Sequence, residues 1–257
     1  ADTASLPFYE LELDVLEALA NPAGIEPAAS QALVERMRPI AASELSDEQR
    51  VRLAKYALSL SAPDIAAPIY ADLATRDSER HVEWLAEAAK WYLAAGDSQH
   101  AATLYLRLMS LAKEPEQRVE FLEQAFFSLL AANQPEQAAE LIDQNLAELR
   151  ESDSDVLEAA VRAAMGGHRL DLAERFVQVW RTWRPDDQQA LAMQFQLRLA
   201  AGDIEGAWET SQLMVAARPD DVELLKQVAR LGEWTGRPRE ALDYWIRLLS
   251  LGEDTAT

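Results

Sequence analysis

The stretch Leu-Ala-Ala-Gly-Asp-Ile-Glu-Gly-Ala-Trp, residues 199–208, sets a glycine after a helix-forming run and an alanine five residues beyond it. The same spine returns in YLAAGDSQHAA at 92–102 and in EWTGRPREALDYW at 233–245. Gly202 with Ala207 and Gly236 with Ala241 stand 34 residues apart (236 − 202). Moving 34 residues upstream of Gly202 reaches His168, with Ala173 in the alanine slot. Asn133 with Ala138, Gly96 with Ala101 and Ser61 with Ala66 continue the series at offsets of 35, 37 and 35. Arg-Pro-Asp-Asp at 184–187 recurs at 218–221, again 34 apart. A fixed period in this range specifies a stacked array of repeats.

Each slot has a physical reading in a pair of antiparallel helices. Gly, Asn, His or Ser just past the first helix suits a C-terminal cap in the left-handed region. His168 fits that slot least well, and Gly166 and Gly167 before it are expected to supply the flexibility. The alanine sits where the second helix crosses closest to the first, and a larger side chain there would push the two apart. Four residues on come Tyr70, Tyr105, Ile142, Ser211 and Trp245, one turn further along that face. Pro185 and Pro219 are expected to end second helices, and the Asp pairs behind them to cap the next ones.

The 34-residue spacing, the glycine, the central alanine, the second-helix aromatic and the closing proline resemble the tetratricopeptide repeat (TPR). The resemblance covers about residues 47–253 as six units, at 47–81, 82–117, 118–153, 154–187, 188–221 and 222–253. It implies an all-α fold, a TPR-type α-solenoid of stacked antiparallel helix pairs. The first-helix aromatic is present as Tyr92 but replaced by Leu129 and Arg198, and the third unit carries insertions. Residues 1–46 read as a divergent N-terminal helical pair, broken at Asn-Pro-Ala-Gly-Ile-Glu-Pro. At the other end, DYWIRLLSLGEDTAT finishes a second helix with no polar capping helix behind it, so the chain is expected to be a segment of a longer array.

Composition narrows the function. Nearly half of the 257 residues are hydrophobic (49%), strong helix formers dominate, and long Val/Ile/Thr alternations are absent. The net charge of −20 argues against a nucleic-acid binder and against docking on an anionic membrane. No run approaches a membrane span, and the start ADTASLPFYELEL lacks the pattern of a signal peptide. With no cysteine, disulfides, thiol catalysis and Cys-zinc sites drop out, and both cytoplasm and periplasm stay open.

Chemistry is hard to find. His81, His100 and His168 form no metal-binding pair. Glu-Ser-Asp-Ser-Asp-Val-Leu-Glu at 151–158 echoes a calcium loop but lacks its sixth-position Gly and twelfth-position Glu, so it reads as a linker and helix cap. No cofactor, metal or catalytic set is expected. Six of the seven tryptophans (Trp84, Trp91, Trp180, Trp183, Trp208 and Trp245) read as packing between helices, with Trp234 the best exception. If the register holds, first-helix positions two, five, nine, twelve and thirteen face a partner. Those slots give Glu83, Lys90, Glu120, Glu123, Phe127 and, further along, Asp155, Glu158, Arg162, Lys226, Arg230 and Trp234. The middle is acidic, which disfavours the carboxylate-binding clamp of chaperone-binding TPR domains; the C-terminal end is basic and aromatic.

The reading is therefore a non-catalytic protein–protein interaction scaffold. GRPREALDYWIRLLSLGED at 236–254 is similar to the Arg-Pro-x-x-Ala-Leu-x-x-Trp repeats of Pel-type exopolysaccharide outer-membrane exporters. That resemblance implies a periplasmic repeat region ahead of an outer-membrane barrel, recruiting the polysaccharide deacetylase/hydrolase PelA. Two alternatives stay open: direct binding of a cationic polysaccharide through the acidic and aromatic groove, and a cytoplasmic TPR adaptor.

Overall fold

A computed structural model describes residues 6–21 and 24–254. Among the described residues the chain is helical, with no strand. The helices are α1 (Leu6–Leu19), α2 (Pro27–Ala41), α3 (Asp47–Ser59), α4 (Pro63–Arg76), α5 (His81–Ala94), α6 (Ser98–Leu111) and α7 (Pro115–Ala131). They continue as α8 (Pro135–Asn145), α9 (Ser154–Gly166), α10 (Leu170–Trp183), α11 (Gln188–Ala200), α12 (Ile204–Ala217), α13 (Val222–Trp234) and α14 (Pro238–Asp254). They fall into two compact units that divide between Asn133 and Gln134. In the first, α3 packs on α4 and α5 on α6; in the second, α9 packs on α10, α11 on α12 and α13 on α14. Turns of three residues join the members of each pair, which forces an antiparallel reversal. Successive pairs also pack, α4 on α5 and α6 on α7 in the first unit, α10 on α11 and α12 on α13 in the second.

The turn chemistry follows the repeat register. Gly96, Gly202 and Gly236 take φ of 82°, 73° and 73°, and the non-glycine residues of the same slot, Ser61, Asn133 and His168, take φ of 59°, 58° and 59°. All six close their helix in the left-handed region, returning the chain for the next one. The flexibility expected of Gly166 and Gly167 is not used: neither has a positive φ, and His168 itself enters the left-handed region. Gly167 serves a different need, because a Cβ there would sit 3.1 Å from the Glu136 backbone of α8. The alanine slot is buried at every copy: Ala66, Ala101, Ala138, Ala173 and Ala207 are at 0% and Ala241 at 1% exposure.

Four helix starts are fixed by aspartates. Asp187 Oδ1 accepts from the Gln189 and Ala190 amides at 2.8 and 3.2 Å, and Asp221 Oδ1 from the Leu224 amide at 3.0 Å. The second helices α6 and α12 use Asp97 and Asp203 in the same way, onto His100 and Gly206. Each such cap is worth about 1 kcal/mol. The segment at 151–158, expected to be a linker and helix cap, places Asp153 at the N-cap position of α9 but without a side-chain cap bond. Glu151–Asp153 is a 3-10 turn, and the Asp153 carboxylate accepts from the Arg150 amide (2.7 Å) and the Ser152 hydroxyl (2.8 Å), not from α9. Its side chain thus serves the turn before the helix, a local backbone bond that competes with capping.

Arg198, in the slot where the family has an aromatic, has a local explanation. Its guanidinium pairs with Asp203 across the helix turn and with Glu174 of α10 at 3.5 Å. Gly206 leaves the space, since a Cβ there would overlap both Arg198 and Asp203. Packing between pairs is carried by Trp208, 5% exposed, against Gly232 of α13 and edge-on to Tyr244 of α14 with ring centroids 6.2 Å apart. Trp84 and Trp180 are buried too, Trp91, Trp183 and Trp245 half-buried, and Trp234 stands 86% exposed. On α14, Leu242, Ile246 and Leu249 form an exposed row at helical spacing. Among the described residues no helix is long and apolar enough to cross a membrane.

Candidate functional site

First-helix residues point outward because the opposite face of each first helix is spent on its partner. On α5, Glu83 and Lys90 are exposed; on α7, Glu120 and Phe127 are exposed and Glu123 is half-buried. Arg80 hydrogen-bonds Glu83, Nε to Oε2 at 2.8 Å, and holds its carboxyl below the ordinary range. The Lys90 ammonium lies 4.6 Å from the centre of the Trp91 ring. Burial raises the Tyr105 hydroxyl, and the charges of Glu120 on α7 and then Glu87 on α5 raise it further. Phe127, 44% exposed, rests edge-on against Phe126 with centroids 5.0 Å apart.

In the second unit the singled-out residues divide between two recesses that meet along α11. Arg162 of α9 lines the first, about 480 Å³, with Met165 of α9 and Gln189, Ala192, Met193 and Gln196 of α11. Glu158 borders it, paired with Arg162 and accepting from Gln189 Nε2 at 3.1 Å; Asp155 lies exposed a turn earlier on α9. The second recess, about 570 Å³, brings Lys226, Arg230 and Trp234 of α13 together with Phe195 and Leu199 of α11. Met214 and Arg218, from the end of α12, close it.

The second recess combines an apolar floor with a charged rim. Phe195, Met214, Leu224 and Leu231 are buried, while Leu199 and Trp234 offer open surface. Its rim cations differ in how far they are engaged. Arg218 Nη1 bonds Asp221 Oδ2 at 3.0 Å, and Lys226 Nζ bonds Glu223 Oε1 at 2.8 Å. Arg230 makes no hydrogen bond or ion pair among the described residues and is exposed.

Phe195, Met214 and Arg218 escape sequence reasoning. The slot rule does pass through α11 at Gln189, Ala192, Gln196 and Leu199, and these line the two recesses. Phe195 and Met214 could be recognised only as core residues, and Arg218 only as the start of the Arg-Pro-Asp-Asp punctuation. Among the described residues no group of three His, Asp or Glu side chains is placed to hold a metal ion.

No family profile and no curated protein matches the sequence. Among solved structures, a crystal structure of MamA protein is similar with a TM-score of 0.52 and 15% identity, covering 69% of this chain and 95% of that one. Another crystal structure of MamA has a TM-score of 0.49 and 16% identity, covering 65% of this chain and 96% of that one. At this identity the likeness shows the fold alone: an all-α, TPR-type solenoid of helix pairs.

Proposed function

We propose that the chain is a non-catalytic protein–protein interaction scaffold. The observation that carries this reading is the recess between α11 and α13, with a buried apolar floor, the exposed apolar surface of Leu199 and Trp234, and a polar rim. That is the composition of a docking surface, with an aromatic anchor and charged residues kept at the periphery. The finer reading places the scaffold in the periplasm as the TPR part of a bacterial exopolysaccharide export system like that of PelB, where it recruits PelA. Its support is the resemblance of residues 236–254. Within that stretch, Arg237 pairs with Glu205 and stacks over Trp208, and the Trp245 indole donates to Glu233, so part of the motif serves packing between helices. The apolar row on α14 supports placing the segment inside a longer array, where a further helix would cover it.

The rival reading, direct binding of a cationic polysaccharide, draws on the same Trp234, whose indole face could stack on a sugar. The neighbours of that indole in the recess include Lys226 and Arg230, which repel an amino-sugar cation, so the protein-docking reading is the stronger one. Size-exclusion chromatography with light scattering, on the chain mixed with purified PelA and separately with partly deacetylated amino-sugar polymer, tests both. A stable complex with PelA that weakens in Trp234→Ala is expected. Polymer binding without a PelA complex would refute the scaffold.

A further inference from the structure

The recess between α11 and α13 carries more than a generic docking surface, because its charges are not all engaged. Three cations and two carboxylates line it, giving a net charge of +1 in a chain whose total is −20. Two of the cations are held by the two carboxylates, Arg218 by Asp221 and Lys226 by Glu223. The third, Arg230, is exposed, lines the recess with Trp234 and has no acceptor among the described residues. A guanidinium in that state favours a carboxylate, which it can hold through two parallel hydrogen bonds.

The apolar part sets the second requirement. Phe195, Met214 and Leu231 form a buried floor, and Leu199 and Trp234, 38% and 86% exposed, form walls that water covers in the free chain. About 570 Å³ of space between them is within the range that accepts a bulky side chain and excludes water around it. The Trp234 indole, at the last residue of α13, can close over an inserted apolar group while its neighbour one turn back, Arg230, takes the adjacent charge.

We propose that this recess docks an extended protein segment carrying a single carboxylate next to a bulky apolar side chain, the carboxylate on Arg230 and the apolar group between Phe195, Leu199 and Trp234. The inference rests on the scaffold reading and specifies its partner. The chain's surplus of negative charge sets the limit of one carboxylate. A polyacidic tail would meet repulsion from the surrounding surface, whereas a lone acidic residue feels mainly its contact partner within a Debye length of about 8 Å at physiological salt. The charge pattern thus selects a mostly apolar segment with one acid.

The test is selection of a random twelve-residue displayed peptide library on the whole 257-residue chain. Enriched peptides are expected to share one Asp or Glu within two residues of Phe, Trp, Leu or Met. Synthetic, end-blocked copies should lose about tenfold in affinity against Arg230→Glu, and comparably against Trp234→Ala, by fluorescence anisotropy. Replacing the peptide's acid by Lys should restore binding to Arg230→Glu, an outcome a misfolded variant cannot give. Enriched peptides without an acid, peptides that bind wild type and Arg230→Glu alike, or no enrichment would overturn the inference. The scaffold reading is judged apart: a PelA complex unchanged by Arg230→Glu would keep the scaffold and remove this site.

Discussion

The left-handed turn slot gives the sharpest test of the repeat register, because substitutions at neighbouring positions should change stability with opposite signs. Gly202 has φ of 73° and an added Cβ would meet nothing within 4 Å, so Gly202→Ala changes the backbone energy alone. Placing an L-residue there costs about 1–2 kcal/mol, and reduced freedom of the unfolded chain returns about 0.4–1. The balance is a loss of about 1 kcal/mol. His168 occupies the same slot at φ 59°, is exposed and makes no side-chain hydrogen bond or ion pair among the described residues. His168→Gly therefore runs the same sum in reverse and should stabilise by a similar amount. Gly166, two residues earlier, has an ordinary right-handed φ and open space around it, so Gly166→Ala should gain about 0.4–1 kcal/mol. All three lie in the second unit, whose unfolding is followed by circular dichroism in urea and on heating. Each kcal/mol corresponds to roughly 2–4 °C in Tm for a domain of this size class. A neutral Gly202→Ala, or a His168→Gly that lowers Tm, would show that the slot does not impose a left-handed residue.

Three further outcomes follow from particular contacts. Trp208→Ala removes a 5% exposed indole between α13 and α14 and should cost about 3–5 kcal/mol in urea unfolding, while Trp234→Ala, at 86% exposure, should leave the midpoint within about 0.5 kcal/mol; equal effects would refute the assignment of one to packing and the other to binding. Ala207→Leu, at a fully buried position of α12, which packs on α11, should destabilise by about 1–3 kcal/mol, and an unchanged midpoint would mean the site has room for the larger side chain. The Asp203 carboxyl is held below its ordinary value of 3.8 by the Gly206 amide and then by Arg198, so its contribution is present above that value and lost as pH falls through the lower folded value. Asp203→Asn should accordingly be less stable than wild type at pH 7, with the gap narrowing as pH falls below 3.8 towards the lower folded value, and a gap that does not narrow in acid would count against the cap.

The repeat was legible because its signals act over a few residues. A left-handed turn depends on the residue that adopts it and the helix it closes, and a cap on an aspartate and the amides two or three positions on. Gly202, Asn133, Asp187 and Ala207 could therefore be assigned roles from spacing alone. Errors arose where a residue met a distant partner, as at Gly167, or a competing local one, as at Asp153. Gly167 looked like flexibility for His168, yet its missing Cβ matters because one there would sit 3.1 Å from the Glu136 backbone of α8. Asp153 looked like a cap and instead serves the 3-10 turn before it.

The candidate site shows the same boundary. Periodicity marked Lys226, Arg230 and Trp234 as outward first-helix positions, since a helix with one face buried must turn the other away. It could not show that Lys226 is engaged by Glu223 while Arg230 is not, or that Phe195 and Met214 floor the same space. Trp208 and Trp234 are the same residue type on successive helices, and only packing separates them: the first has Gly232 and Tyr244 to lie against, the second has solvent. The sequence by itself determined the turns, caps and pairing of helices, because each is settled by neighbours along the chain. Tertiary structure decided which exposed residues share a recess and which charge stays unpaired, because those depend on surfaces brought together from separate helices.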